Sequence, residues 1–168
     1  MKSGPLRLLL LSTSLFLLSA TGCKSSKHSA PFDPTAFLGT WSGTWTNTTF
    51  SSTGAVSLVV AENGGVVTFT LDMDGNVFGG SDPAAEDFTA SFSGSTATLD
   101  AKTSTVYGDV TGTLNSNGSV TIHGVNINGQ VASFTLTGSW SGTQITANVS
   151  ITFDNASTAA GNATLTKQ

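Results

Sequence analysis

The chain has 168 residues, and its 10 acidic side chains outnumber its 6 lysines and arginines, for a formal net charge of −4. Neutralising a phosphate backbone takes clustered cations, so this balance excludes a nucleic-acid binder. One cysteine excludes an internal disulfide, which leaves burial and strand pairing to hold the fold.

The N-terminus comes first. Lys2 and Arg7 precede an apolar stretch from Leu8 to Leu18, followed by the small residues Ser19-Ala20-Thr21-Gly22 and then Cys23. The stretch is shorter than the ~20 residues that cross a bilayer and has the three-part layout of a cleaved secretory signal. Ala20-Thr21-Gly22-Cys23 resembles the lipobox of bacterial lipoproteins. That resemblance implies cleavage before Cys23, a diacylglycerol thioether with palmitate-type acyl chains on its sulfur, and contact with a membrane through those chains. It also implies residence in the bacterial cell envelope. Lys24, where an Asp favours inner-membrane retention in enterobacterial lipoproteins, points by that analogy to the outer membrane.

Residues 1–22 are thus expected to be a signal peptide, 23–36 a lipidated cysteine with a flexible tether, and 37–168 one domain. The tether is rich in Ser and Lys, holds Pro31 and Pro34, and has no periodic apolar face. Beyond the cleavage point four lysines face ten carboxylates, a formal charge of −6. Such a surface has no electrostatic attraction to anionic headgroups, so membrane contact falls to the acyl chains.

From Phe37 onward apolar and polar residues alternate. Val56, Leu58 and Val60 share a face, as do Val67, Phe69 and Leu71, and Phe88, Ala90 and Phe92. Phe134, Leu136, Gly138 and Trp140 repeat the pattern, then Ile145, Ala147, Val149, Ile151 and Phe153. A period of two over many segments predicts half-buried antiparallel strands. Strands are expected at 38–50, 54–61, 65–72, 77–80, 86–93, 96–102, 105–114, 119–126, 131–140, 143–153 and 162–167, with bends or bulges at Gly43, Gly108 and Gly112. Asn63-Gly64, Asp74-Gly75, Asn117-Gly118 and Asn128-Gly129 tolerate positive φ and mark tight turns between them. The fold class is all-β, an antiparallel meander of about 8–10 strands.

Gly39-Thr-Trp-Ser-Gly-Thr44 matches Gly138-Ser-Trp-Ser-Gly-Thr143 almost letter for letter, one copy near each end of the domain. Glycines beside an indole on one strand face let the strand coil while the ring covers the vacated space. A barrel would pair the first and last strands and remove both edges. On these residues the chain resembles small bacterial lipoproteins built from Gly-x-Trp-x-Gly units on a meandering barrel and, more distantly, the lipocalin and avidin superfamily. Gly39-Thr40-Trp41 is similar to the lipocalin Gly-x-Trp, and Gly43-Thr44-Trp45-Thr46-Asn47 to the avidin Gly-x-Trp-x-Asn. Lipocalins pair that Trp with a late Arg; Lys167 is the partial substitute here. Of the polar set with which avidins hold biotin, only Asn47 stands at a matching position. The resemblance implies the architecture and not biotin binding.

Candidate sites are few. His28 and His123 are the two histidines, and with Cys23 lipidated His123 is the one base on a strand. No nucleophile and orienting acid accompany it in a motif, so no catalytic set and no enzyme are expected. Asp72-Met-Asp74-Gly-Asn76 is similar to the start of a calcium loop, but such a loop requires Gly at position six and Glu at twelve. Those positions hold Val77 and Pro83, so the segment reads as a turn, with Asp72, Asp74 and Asn76 as a weak alternative calcium site. No cofactor is implied, and the oligomeric state is open. Trp41, Trp45, Phe69, Phe88, Phe92, Phe134, Trp140 and Phe153 belong to apolar strand faces. In a wide barrel they line a pocket for a small apolar or amphiphilic ligand; in a narrow one they fill the core. The first outcome makes the protein a binding module, the second a structural or interaction protein.

Overall fold

The computed structural model describes residues 30–168; the signal stretch and Cys23 lie outside the described residues. Eleven strand segments follow one another in a meander: β1 (Gly39–Asn47), β2 (Ser52–Asn63), β3 (Val66–Met73), β4 (Glu86–Ser93), β5 (Thr96–Leu99), β6 (Lys102–Ser104), β7 (Gly108–Asn115), β8 (Ser119–Val125), β9 (Val131–Ser141), β10 (Gln144–Phe153) and β11 (Thr158–Lys167). Every consecutive pair except β5 and β6 is joined antiparallel, and β1 pairs with β11 from Trp41↔Lys167 to Asn47↔Gly161. A pairing of β5 with β7, Thr96↔Asn115 to Thr98↔Thr113, closes the ring. Because β5 and β6 lie end to end along β7, the barrel has ten staves.

Several boundaries differ from the alternation pattern, each for a local reason. Residues 77–80, expected as a strand, contain instead a single 3-10 turn, Val77–Gly79, in which Phe78 holds φ at 53°. The expected strand 96–102 breaks before Lys102, and the register against β7 steps by one residue across the break. β11 begins at Thr158, four residues early, because Ala159 and Gly161 continue the inward face that Ala163 and Leu165 carry. No bulge forms at Gly43, which stays in register with β2 and β11, while Gly112 stays in register with β8 and faces the β5–β6 break on its other side. At Gly43 the glycine serves close approach: a Cβ there would overlap the carbonyl oxygen of Thr164 on β11. Gly108 opens β7 at φ 71°, directly after the β6–β7 turn. The ladder irregularity falls where Thr152↔Ser133 gives way to Phe153↔Val131, leaving Ala132 as the extra residue.

One end of the barrel is plugged. Residues 30–36, assigned to the tether by composition, are seated on it: Phe32 N–H donates to the Gly94 carbonyl (2.8 Å). Asp33 caps a 3-10 turn, Pro34–Ala36, and Phe37 follows it into the barrel. Phe32 stacks between Phe37 (5.2 Å) and Phe92 (5.3 Å), while the edges of Phe37 and Trp41 meet Trp140 at 4.3 and 4.7 Å. Trp41 is fully buried and its Nε1 donates to the Phe37 carbonyl (3.0 Å). Apolar side chains in an otherwise polar tether thus extend the folded unit back to Phe32. The opposite end carries the longer loops β1–β2, β3–β4, β8–β9 and β10–β11.

Candidate functional site

Above the plug the barrel is hollow. Inward residues alternate along every stave, and several of them, Ala90, Ala97, Ala147 and Ala163, are small beside the larger lining residues Phe69, Phe88, Phe134 and Leu136. Ten staves enclose more space than these side chains fill, so a cavity of about 1000 Å³ remains, the upper end of the usual range for ligand sites. Its wall is apolar, and Leu58, Phe69, Leu71, Leu136 and Val149 stay only half-buried although they point inward.

The aromatic set divides. Trp45, Phe69, Phe88, Phe134, Trp140 and Phe153 line the cavity. Trp41 lies below it in the plug, and Phe92 passes the rim of the closed end to stack on Phe32, 36 % exposed; neither lines the space. Trp45 is fixed by Nε1–H donating to the Asp74 carbonyl (2.9 Å). Its indole lies against Gly54 on β2, where a Cβ would collide with the ring and with the Asp74 carbonyl.

The mouth is built by loops. Phe50 of β1–β2, 62 % exposed, meets Phe153 edge-on at 6.1 Å. Val77 and Phe78 of the β3–β4 loop fold inward, and Phe78 stacks on Phe134 at 5.5 Å. The Asp82 carboxylate closes that loop by accepting from Gly75 N–H (2.6 Å). Asn76, Asn128 and Gln130 add neutral amides to the rim. Asn47 also stands at the mouth, but its Oδ1 accepts from Thr49 and Phe50 N–H (3.0 Å each), so it caps the turn.

Tyr107 and Trp140 belong to the wall, and the Tyr107 hydroxyl and Trp140 Nε1 are buried without a hydrogen-bond partner among the described residues. Burial, then the nearby charges of Glu86 and Asp72, push the Tyr107 phenol well above its ordinary value. The lowered carboxylates lie away from the cavity. Asp33 is held down by the Thr35 hydroxyl and N–H, Asp100 by Ser91 and Thr89, and Asp109 by Thr103 and Asn126.

His123 sits on the outer face of β8, its Nδ1 3.1 Å from the Thr135 hydroxyl. Among the described residues no three His, Cys, Asp or Glu side chains converge in a way that could hold a metal ion. Of the weak calcium candidates, Asp72 lies on β3 opposite Ser57, the Asp74 carbonyl accepts from Trp45 Nε1–H, and Asn76 lines the mouth.

The alternation pattern missed Tyr107, Val77 and Phe78. Tyr107 has the wrong parity for the inward set Val110, Gly112 and Leu114; it precedes the strand, and the positive φ of Gly108 resets the register. Leu58, Leu71, Leu136 and Val149 were visible as inward positions.

Among solved structures the barrel is similar to Rv2717c of Mycobacterium tuberculosis, with a TM-score of 0.58 and 12 % identity over 79 % of this chain and 93 % of that one. It is also similar to a protein of unknown function from the DUF3598 family of Nostoc punctiforme, with a TM-score of 0.57 and 13 % identity. That match covers 83 % of this chain and 51 % of the other, so the chain spans about half its length. At these identities the likeness is one of fold. No family model matches the chain, and no curated protein does.

Proposed function

We propose that this protein is a lipid-anchored bacterial envelope lipoprotein whose lipocalin-like barrel binds a small hydrophobic or amphiphilic ligand and performs no catalysis. The observation that carries the reading is the apolar cavity of about 1000 Å³, open at one end and plugged at the other. A structural protein with a filled core has no need of such a space, and apolar walls left bare to water cost free energy that a ligand recovers. The lipocalin comparison is supported by Lys167, whose Nζ lies 5.3 Å from the Trp41 ring centroid, where that resemblance asks for an arginine.

Anchorage at Cys23 is a reading of the lipobox, and the fold gives it a consequence. The chain enters at the plugged end, where Phe32 is held by Gly94. Seven peptide units from Cys23 to Ala30 reach at most about 24 Å. The plugged end then stands over the lipid and the mouth opens away from it, toward the aqueous compartment.

Native mass spectrometry of the protein purified from its own host tests the binding reading: a co-purifying small molecule is expected, and ligand-free protein that also fails to take up a neutral apolar dye overturns it. The anchor is tested separately. Cys23→Ala is expected to move the protein from the membrane to the soluble fraction, and unchanged membrane association overturns lipidation.

A further inference from the structure

The cavity has walls for an apolar body and, among the described residues, no cation with which to receive an anion. Among the described residues no Lys, Arg or His lines it, and the single charged lining residue, Asp82, is a carboxylate at the mouth. Lys102, the cross-strand partner of the lining residue Val110, is itself not among the lining residues: Nζ lies 4.8 Å from the Phe88 ring centroid, 3.3 Å from Glu86 and 2.6 Å from the Asp87 carbonyl. Its charge is therefore already matched. Lys167 lies over Trp41 in the plug, and His123 is on the outer face.

Resting on the binding-module reading, we propose that the ligand is an uncharged, mainly apolar molecule, with any polar group a neutral one placed at the mouth, and that fatty-acid-type carboxylates and phosphate-headed amphiphiles are rejected. An anionic head drawn into this lumen loses its hydration and gains no counter-charge. A head left at the rim meets the amides of Asn76, Asn128 and Gln130 beside the Asp82 carboxylate, on a protein of net negative charge. A hydroxyl or carbonyl satisfies its hydrogen bonds on those amides without any such cost. The size of the cavity suits a bulky or folded apolar body.

The experiment uses a matched pair of probes, myristyl alcohol and myristate, each displacing a neutral environment-sensitive dye from the soluble Cys23→Ala protein, with Trp fluorescence as a second readout. At neutral pH the alcohol is expected to bind at least about tenfold more tightly than the carboxylate, which corresponds to about 1.4 kcal/mol. Gln130→Lys, which sets a cation at the rim, is expected to narrow that gap by strengthening myristate more than the alcohol. Equal affinities in the unaltered barrel overturn the proposal while leaving the binding module standing. Failure of the dye and both probes to bind overturns the module itself.

Discussion

Trp41 and Lys167 are direct cross-strand partners on β1 and β11, and the lysine Nζ lies 5.3 Å from the indole centroid. The same Nζ approaches the Ala36 carbonyl at 3.4 Å. One contact therefore ties the first strand, the last strand and the N-terminal plug together. Removing the indole empties a fully buried site, so Trp41→Ala is expected to cost about 3–5 kcal/mol in urea unfolding. Lys167→Met keeps the aliphatic stem and loses the charge, and should cost about 0.5–1 kcal/mol. Equal stability of Lys167→Met and the unaltered protein would show the cation to be idle.

A second relationship closes the wall where the backbone does not. β4 pairs with β5 only from Ala90↔Leu99 to Ser93↔Thr96, so Glu86–Thr89 has no strand ladder with β6. Glu86 fills the interval, with Lys102 at 3.3 Å and the Ser104 hydroxyl at 2.7 Å. Glu86→Gln should cost about 1 kcal/mol, since the pair is partly exposed and screened. The informative measurement is amide exchange: Glu86–Thr89 should exchange faster while β1 and β11 stay protected. Uniform acceleration across the barrel would mean the seam is not a separate unit.

The meander and its faces were legible in the sequence because the period of two survives wherever a strand has one wet and one dry side. Val56–Leu58–Val60 and Ile145–Ala147–Val149–Ile151 needed nothing else. Whether the interior was hollow was not legible, since Phe69 or Phe134 reads the same in a packed core and a cavity wall; stave number decides, and β6 broke the count. The plug was hidden because Phe32 and Phe37 flank a proline-rich segment with no period. Tyr107 and Phe78 sit where positive φ resets the parity on which such reading depends.

Phe78 offers a test with an inverted sign. Its φ of 53° is unfavourable for a bulky side chain, and stacking on Phe134 holds it there. At an ordinary site alanine is more stable than glycine. Here Phe78→Gly should be more stable than Phe78→Ala by about 1 kcal/mol, because only glycine is free of the left-handed penalty. Both variants remove the ring from the mouth and should speed dye release in stopped-flow measurements. A slower release would place Phe78 in the floor of the site and not at its entrance.

Tyr107 is the only tyrosine in the chain, so tyrosinate absorbance reports on it alone. Its buried hydroxyl has no partner among the described residues, and burial with Glu86 and Asp72 favours the neutral phenol in the folded state. A raised folded value means stability is fully present below the unfolded value near 10 and falls as pH rises above it. Ionisation should then coincide with alkaline unfolding instead of preceding it. Tyr107→Phe deletes both the orphan hydroxyl and the titration. It is expected to be neutral or stabilising by about 1 kcal/mol at neutral pH and to flatten the alkaline limb. A destabilised Tyr107→Phe would show instead that the hydroxyl has a partner, a bound water or a ligand, inside the barrel wall.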